Sequence, residues 1–138
     1  MYSAANNIPG NPASKTIFLF GYYPLLAGLS MVLAPAMPLE IMGLPVEGLD
    51  WIRMLGVVTM IVGYYYLNNG RLGVIQFARF TVHARTLIPF VFLAMVLVFD
   101  MSPIYIAFTA VDVLGGLWTW SALKKMNVPV WGEWTDAQ

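Results

Sequence analysis

The sequence predicts an all-α membrane protein, an antiparallel bundle of four transmembrane helices forming a single domain over residues 1–138. Three observations predict it. Hydrophobic residues make up 59% of the chain and charged residues only 10%, against about 25% charged in soluble domains. Four apolar stretches, at about 16–36, 51–67, 80–99 and 102–123, approach the ~20 residues that cross a bilayer. The basic residues gather at alternate ends of those stretches.

The residues ahead of the first stretch include Asn6, Asn7, Pro9, Gly10, Asn11 and Pro12, a polar composition expected of a loosely held tail. The first span carries no charge, and Pro24 removes one helical donor within it and predicts a kink there. Ala34-Pro35-Ala36 imitates a signal-peptidase site, but the apolar run is too long and lacks a basic start, so a retained anchor is expected. Residues 37–50, with Pro38, Gly43, Pro45 and Gly48, read as a loop. The second span opens on Trp51, an interfacial aromatic, and is expected to break at Asn68-Asn69-Gly70. The third helix begins within 73–85 and runs to Phe99. Asp100-Met101-Ser102-Pro103 makes a tight turn into the fourth span, and a tail bearing Trp131 and Trp134 follows.

Four crossings place both termini and the central connection on one side. That side collects Lys15, Arg71, Arg79, Arg85, Lys124 and Lys125, whereas Arg53 is the only base opposite, beside Glu40, Glu47, Asp50 and Asp100. Basic loops stay in the cytoplasm, so both ends are expected there.

Asp112 is the only formal charge in the fourth span. A carboxylate in hydrocarbon costs at least ~2.5–3.5 kcal/mol, so it faces a bundle interior or a wet cavity and finds a partner. Tyr105, Thr109, Asp112, Gly116 and Thr119 recur at steps of three and four and share one helix face. Two readings follow for Asp112: an ion pair that locks helices, or an acid/base group acting on a ligand. Arg53 and Arg85 are its candidate partners. Measured from Met101 at about 1.5 Å per residue, Asp112 lies ~15 Å deep and Arg85 ~24 Å. Arg53 enters from the same side as Met101, and either long side chain spans much of such an offset. Pro89, four residues after Arg85, frees the Arg85 carbonyl as an acceptor.

Tyr64-Tyr65-Tyr66 points phenols in three directions, and Tyr64 shares the face of Arg53, Gly56, Met60 and Gly63, which makes it the inward candidate. His83 reads as a residue of the cytoplasmic interface. Glycines repeat at seven residues in Gly21/Gly28 and in Gly56/Gly63, a signal for close helix approach.

Several chemistries are excluded. The chain has no cysteine and one histidine, which rules out disulfides, thiolate or all-histidine metal sites, iron–sulfur clusters and cysteine nucleophiles. Net charge is zero with no basic block, so nucleic acid is not a partner.

Trp51-Ile52-Arg53-Met54-Leu55-Gly56, Gly63-Tyr64-Tyr65-Tyr66, and Val111-Asp112-Val113-Leu114-Gly115-Gly116-Leu117-Trp118-Thr119, with Arg79 and Arg85 between them, resemble the BphX-like proteins, small four-helix membrane proteins. The resemblance spans roughly residues 39–125. It implies Arg53, Arg85 and Asp112 as positions to test, and no reaction.

The expected function is that of a small membrane enzyme acting without a cofactor on a lipophilic small molecule, most concretely an epoxide hydrolase or isomerase. Asp112 would be its acid or base, Arg85 or Arg53 would hold that charge, and Tyr64 would donate to the opening oxygen. The alternative is a non-catalytic accessory subunit or lipid-binding stabiliser of a homo-oligomer or larger membrane complex. The bilayer is the partner common to both.

Overall fold

The computed structural model describes residues 7–133, and among these every regular element is helical. The order is α1 (Pro12–Leu33), α2 (Ala36–Ile41), α3 (Leu49–Leu72), α4 (Ile75–Phe99) and α5 (Ile104–Lys125). Three of them, α1, α4 and α5, are long and apolar enough to cross a membrane. α3 has the length, but Arg53, the tyrosine run and the asparagines dilute its apolar content. Large hydrophobic side chains stand exposed along the helices, among them Leu87, Phe90, Val91, Leu97, Val98 and Phe99 on α4. Apolar exposure on that scale marks a surface made for something other than water.

Three local expectations are corrected. The stretch 37–50 is not wholly loop, because α2 occupies its start. Its Pro38 sits in the first turn, where a missing N–H costs nothing, and Leu39 is buried. The second long helix does not break at Asn68-Asn69-Gly70 but continues to Leu72. Asn68 turns its amide back onto the Tyr64 carbonyl at 2.8 Å, which leaves the helical backbone undisturbed. The stop falls at Gly73, whose φ of 75° is left-handed. The Gly73 and Val74 N–H groups close on the Gly70 and Asn69 carbonyls at 3.3 and 3.0 Å, the paired bonds of a Schellman end.

The third correction concerns the tail ahead of the first span. Residues 7–14 are tied down, while those before them lie outside the described residues, as does Trp134. Asn11 caps α1 by accepting the Ser14 N–H at 2.8 Å, with Pro12 as the first helical residue. Its amide also donates to the Ile8 and Gly73 carbonyls. The bond to Gly73 spans 62 residues of sequence, beyond the reach of any local pattern.

The chain divides into two compact units, one of residues up to Ile17 and from Asn69 onward, the other of Phe18–Asn68. In the second unit α1 and α3 pack antiparallel through the glycine repeats. A Cβ on Gly28 would stand 2.5 Å from the Gly56 carbonyl oxygen, and one on Gly56 would stand 2.7 Å from that of Gly28. A Cβ on Gly63 would likewise stand 2.7 Å from the Leu25 backbone nitrogen. Only hydrogen side chains permit backbones this close. α1 carries on through Pro24 as helix.

In the first unit α4 and α5 form a hairpin, turned at Asp100 (φ 51°). The start of α1 joins them: the hydroxyls of Thr16 and Thr119 meet at 2.9 Å, both buried. α5 ends as α3 does, with Asn127 left-handed and the Val128 N–H on the Leu123 carbonyl at 3.0 Å. The chain then folds back, burying Met126, Val128 and Val130.

Candidate functional site

The small and polar stripe of α5 is its buried face. Thr109, Gly116 and Thr119 are buried and Asp112 is half-buried, whereas Ala107, Val111, Leu114 and Trp118 on the remaining faces are exposed. A helix in an apolar chain hides this stripe because the groups on it hydrogen-bond or permit close packing only against protein. Thr109 and Thr119 satisfy their hydroxyls on the Ile106 and Gly115 carbonyls of their own helix.

Arg85 faces the stripe from α4. It is the largest of the fully buried side chains, with 1% of its surface exposed. Its methylenes pass over Gly116, where an added Cβ would lie 3.2 Å from Arg85 Cβ and 3.5 Å from Cδ. The absence of a side chain at Gly116 is therefore what lets Arg85 lie there. Asp112 lies one turn before Gly116 on that same face of α5. Arg85 thus packs on the stripe of α5 that carries the acid.

Arg53 and Tyr64 belong to the other unit. Arg53 pairs with Asp50 on its own helix at 3.3 Å, and both side chains are largely exposed. The expectation that Tyr64 points inward is corrected: it is 61% exposed and rests edge-on against Tyr65, with ring centres 6.2 Å apart. Of the three tyrosines, Tyr66 is the packed one, 5.7 Å from Phe20. The helix turns ~100° per residue, so neighbours separate widely, and the closely packed α1 backbone fixes which phenol is covered.

A cleft of about 420 Å³ opens between α4 and α5, within one unit. Arg85, Thr86, Phe90, Gly116, Trp120 and Trp131 are in its wall, with aliphatic residues completing it. Asp112 stands one residue before Val113 and one turn before Gly116, both wall residues. Thr86 holds its hydroxyl on the Val82 carbonyl at 2.8 Å. An apolar cavity of a few hundred Å³ with a few placed polar groups is the usual form of a small-molecule site.

Two residues outside the candidate set, Arg79 and His83, hold the chain segment that supplies Trp131. Arg79, buried, donates from Nε to the Pro129 carbonyl at 2.6 Å, and from its two terminal nitrogens to Gln76 Oε1 at 2.9 Å and the Gly132 carbonyl at 2.7 Å. His83 is not a bare interface residue. Its Nε2 is 2.5 Å from the Val130 carbonyl oxygen, and its ring stacks on Trp131 at 4.3 Å and 9°. The only advance signal was the i, i+4 spacing of Arg79 and His83, which puts them on one face of α4.

Compared with protein-family models, with curated proteins and with solved structures, the chain matches none of them.

Proposed function

We propose that this chain is a four-span membrane protein, both termini cytoplasmic, that admits a lipophilic small molecule to the α4–α5 cleft and converts it without a cofactor. Hydrolysis or isomerisation of an epoxide is its concrete form. One observation carries the reading: a buried arginine, packed on the stripe of α5 that carries Asp112, stands in the wall of an apolar cleft. α3 is the fourth span of this reading. Its 24 residues reach ~36 Å at 1.5 Å each, enough for a ~30 Å hydrocarbon core. Val57, Val58 and Ile61 give it an exposed apolar flank.

In the hydrolytic version, Asp112 takes a proton from water as the water oxygen bonds to a ring carbon. The ring C–O bond breaks with its electron pair leaving on oxygen. Arg85 hydrogen-bonds that developing alkoxide, and Asp112 returns the proton to it, so the net change is one water added. Arg85 takes the oxygen-binding part that the sequence assigned to Tyr64. Tyr64, Arg53 and Asp112 are not themselves wall residues, but Asp112 directly adjoins one, Val113.

The test is turnover of long-chain alkyl and aryl-alkyl epoxides by the purified chain in detergent, followed by mass spectrometry of the diol or carbonyl product. Wild type is expected to turn over at least one, and Asp112→Asn to fold and turn over none. Failure of the wild type on all of them, or unchanged rates in Asp112→Asn, sinks the enzyme reading.

A further inference from the structure

The geometry points to Trp131 as the residue that closes one end of the α4–α5 cleft and sets the size of molecule it admits, with Arg79 and His83 as the residues that position it. Among the described residues, Trp131 is the only one of the cleft wall that comes from neither helix. It lies on residues 126–133, beyond the last turn of α5, in a segment with no helix of its own. Such a segment keeps one position only if its backbone groups are bonded elsewhere.

Here they are bonded to α4. Arg79 grips the carbonyls on either side of the tryptophan, those of Pro129 and Gly132, through two nitrogens of one rigid fork. His83 adds the carbonyl between them, that of Val130, and lays its ring flat on the indole. Val128 and Val130 sink into the same unit as anchors. The turns on both sides are left-handed, at Asn127 (φ 55°) and Gly132 (φ 81°), so the segment is a folded strap. Trp131 itself remains 57% exposed. It packs as a wall with one face on His83, and it is not built into the core.

That arrangement separates closure from catalysis. Arg79 and His83 are not wall residues, while Val82 and Arg85, interleaved with them along α4, are. Loosening the strap therefore opens the end of the cleft nearest Val82 and leaves the Arg85–Gly116 contact in place.

The chain has no cysteine, so single thiols report local access. Val82→Cys would place one in the wall at this end; Val82 is now 4% exposed. The full chain in detergent micelles is reacted with N-substituted maleimides of increasing bulk, methyl to benzyl. With Trp131 present the rate is expected to fall steeply with reagent size. Adding Trp131→Ala or Arg79→Gln is expected to raise the benzyl rate by about tenfold or more, as local opening exposes a buried site, and to flatten the size dependence. Thr109→Cys, buried on α5 outside the cleft wall, is expected not to change in either background.

Unchanged rates at Val82→Cys overturn the inference. So does equal acceleration at Thr109→Cys, which means general loosening. Trp131→Ala removes an exposed ring and keeps the test available should Arg79→Gln fail to fold. No turnover is measured, so loss of the enzyme reading and loss of this one are told apart.

Discussion

Gly116 of α5 lies directly beneath Arg85 of α4, close enough that the smallest side chain at Gly116 would come within 3.2 Å of Arg85 Cβ. The glycine is what allows a long cation to run buried along a helix–helix contact. Backbone proximity, a charge and a cleft thereby meet at one point of the hairpin.

Gly116→Val is expected to push Arg85 aside while leaving the helices formed. Overpacking of this kind costs about 1–3 kcal/mol. Thermal unfolding in detergent reads that loss, and epoxide turnover is expected to disappear with it. A variant that unfolds normally and keeps full turnover would show that Arg85 need not lie on Gly116.

Arg85 and Asp112 are expected to be coupled in a double-mutant cycle. Asp112→Asn alone removes a negative charge from the stripe on which a buried cation packs, and Arg85→Gln alone removes that cation. Making both changes is expected to cost less than the two single losses added, by roughly 0.5–3 kcal/mol as for contacting pairs. Additive losses in unfolding free energy would place the two groups out of electrical reach.

In the other unit, Gly28→Ala and Gly56→Ala are each expected to part α1 from α3. The added carbons would meet carbonyl oxygens at 2.5 and 2.7 Å, and backbone cannot swing away as a side chain does. A loss of about 1–3 kcal/mol is expected for each. Gly48→Ala serves as a strain control without a close neighbour, its nearest atom being 3.7 Å away at a φ of 62°. A larger loss at Gly48 than at Gly28 would overturn this ranking.

Gly73→Ala is expected to be the most damaging of the alanine changes. The residue is left-handed at φ 75°, which costs an L residue roughly 1–2 kcal/mol. Its new methyl would also fall 2.1 Å from the Ile8 carbonyl oxygen. Increased proteolysis ahead of α1, compared with wild type, would report release of residues 7–11, and an unaltered cleavage pattern would count against the docking of that segment.

Much of the helical layout was already legible in the residues. Length and lack of charge marked α1, α4 and α5, because hydrocarbon tolerates only self-bonded backbone. Threes-and-fours spacing singled out the buried stripe of α5, and seven-residue glycine spacing the close approach of α1 and α3. These are properties of one helix at a time, with period and composition enough to read them. What no single helix carries is the identity of its neighbour. The seat of Arg85 on Gly116, the outward turn of Tyr64 and the hold of Arg79 and His83 on residues 129–132 were decided by tertiary packing. Each depends on a contact across tens of residues of sequence, where backbone clearance and free carbonyls select the partner and local pattern has no say.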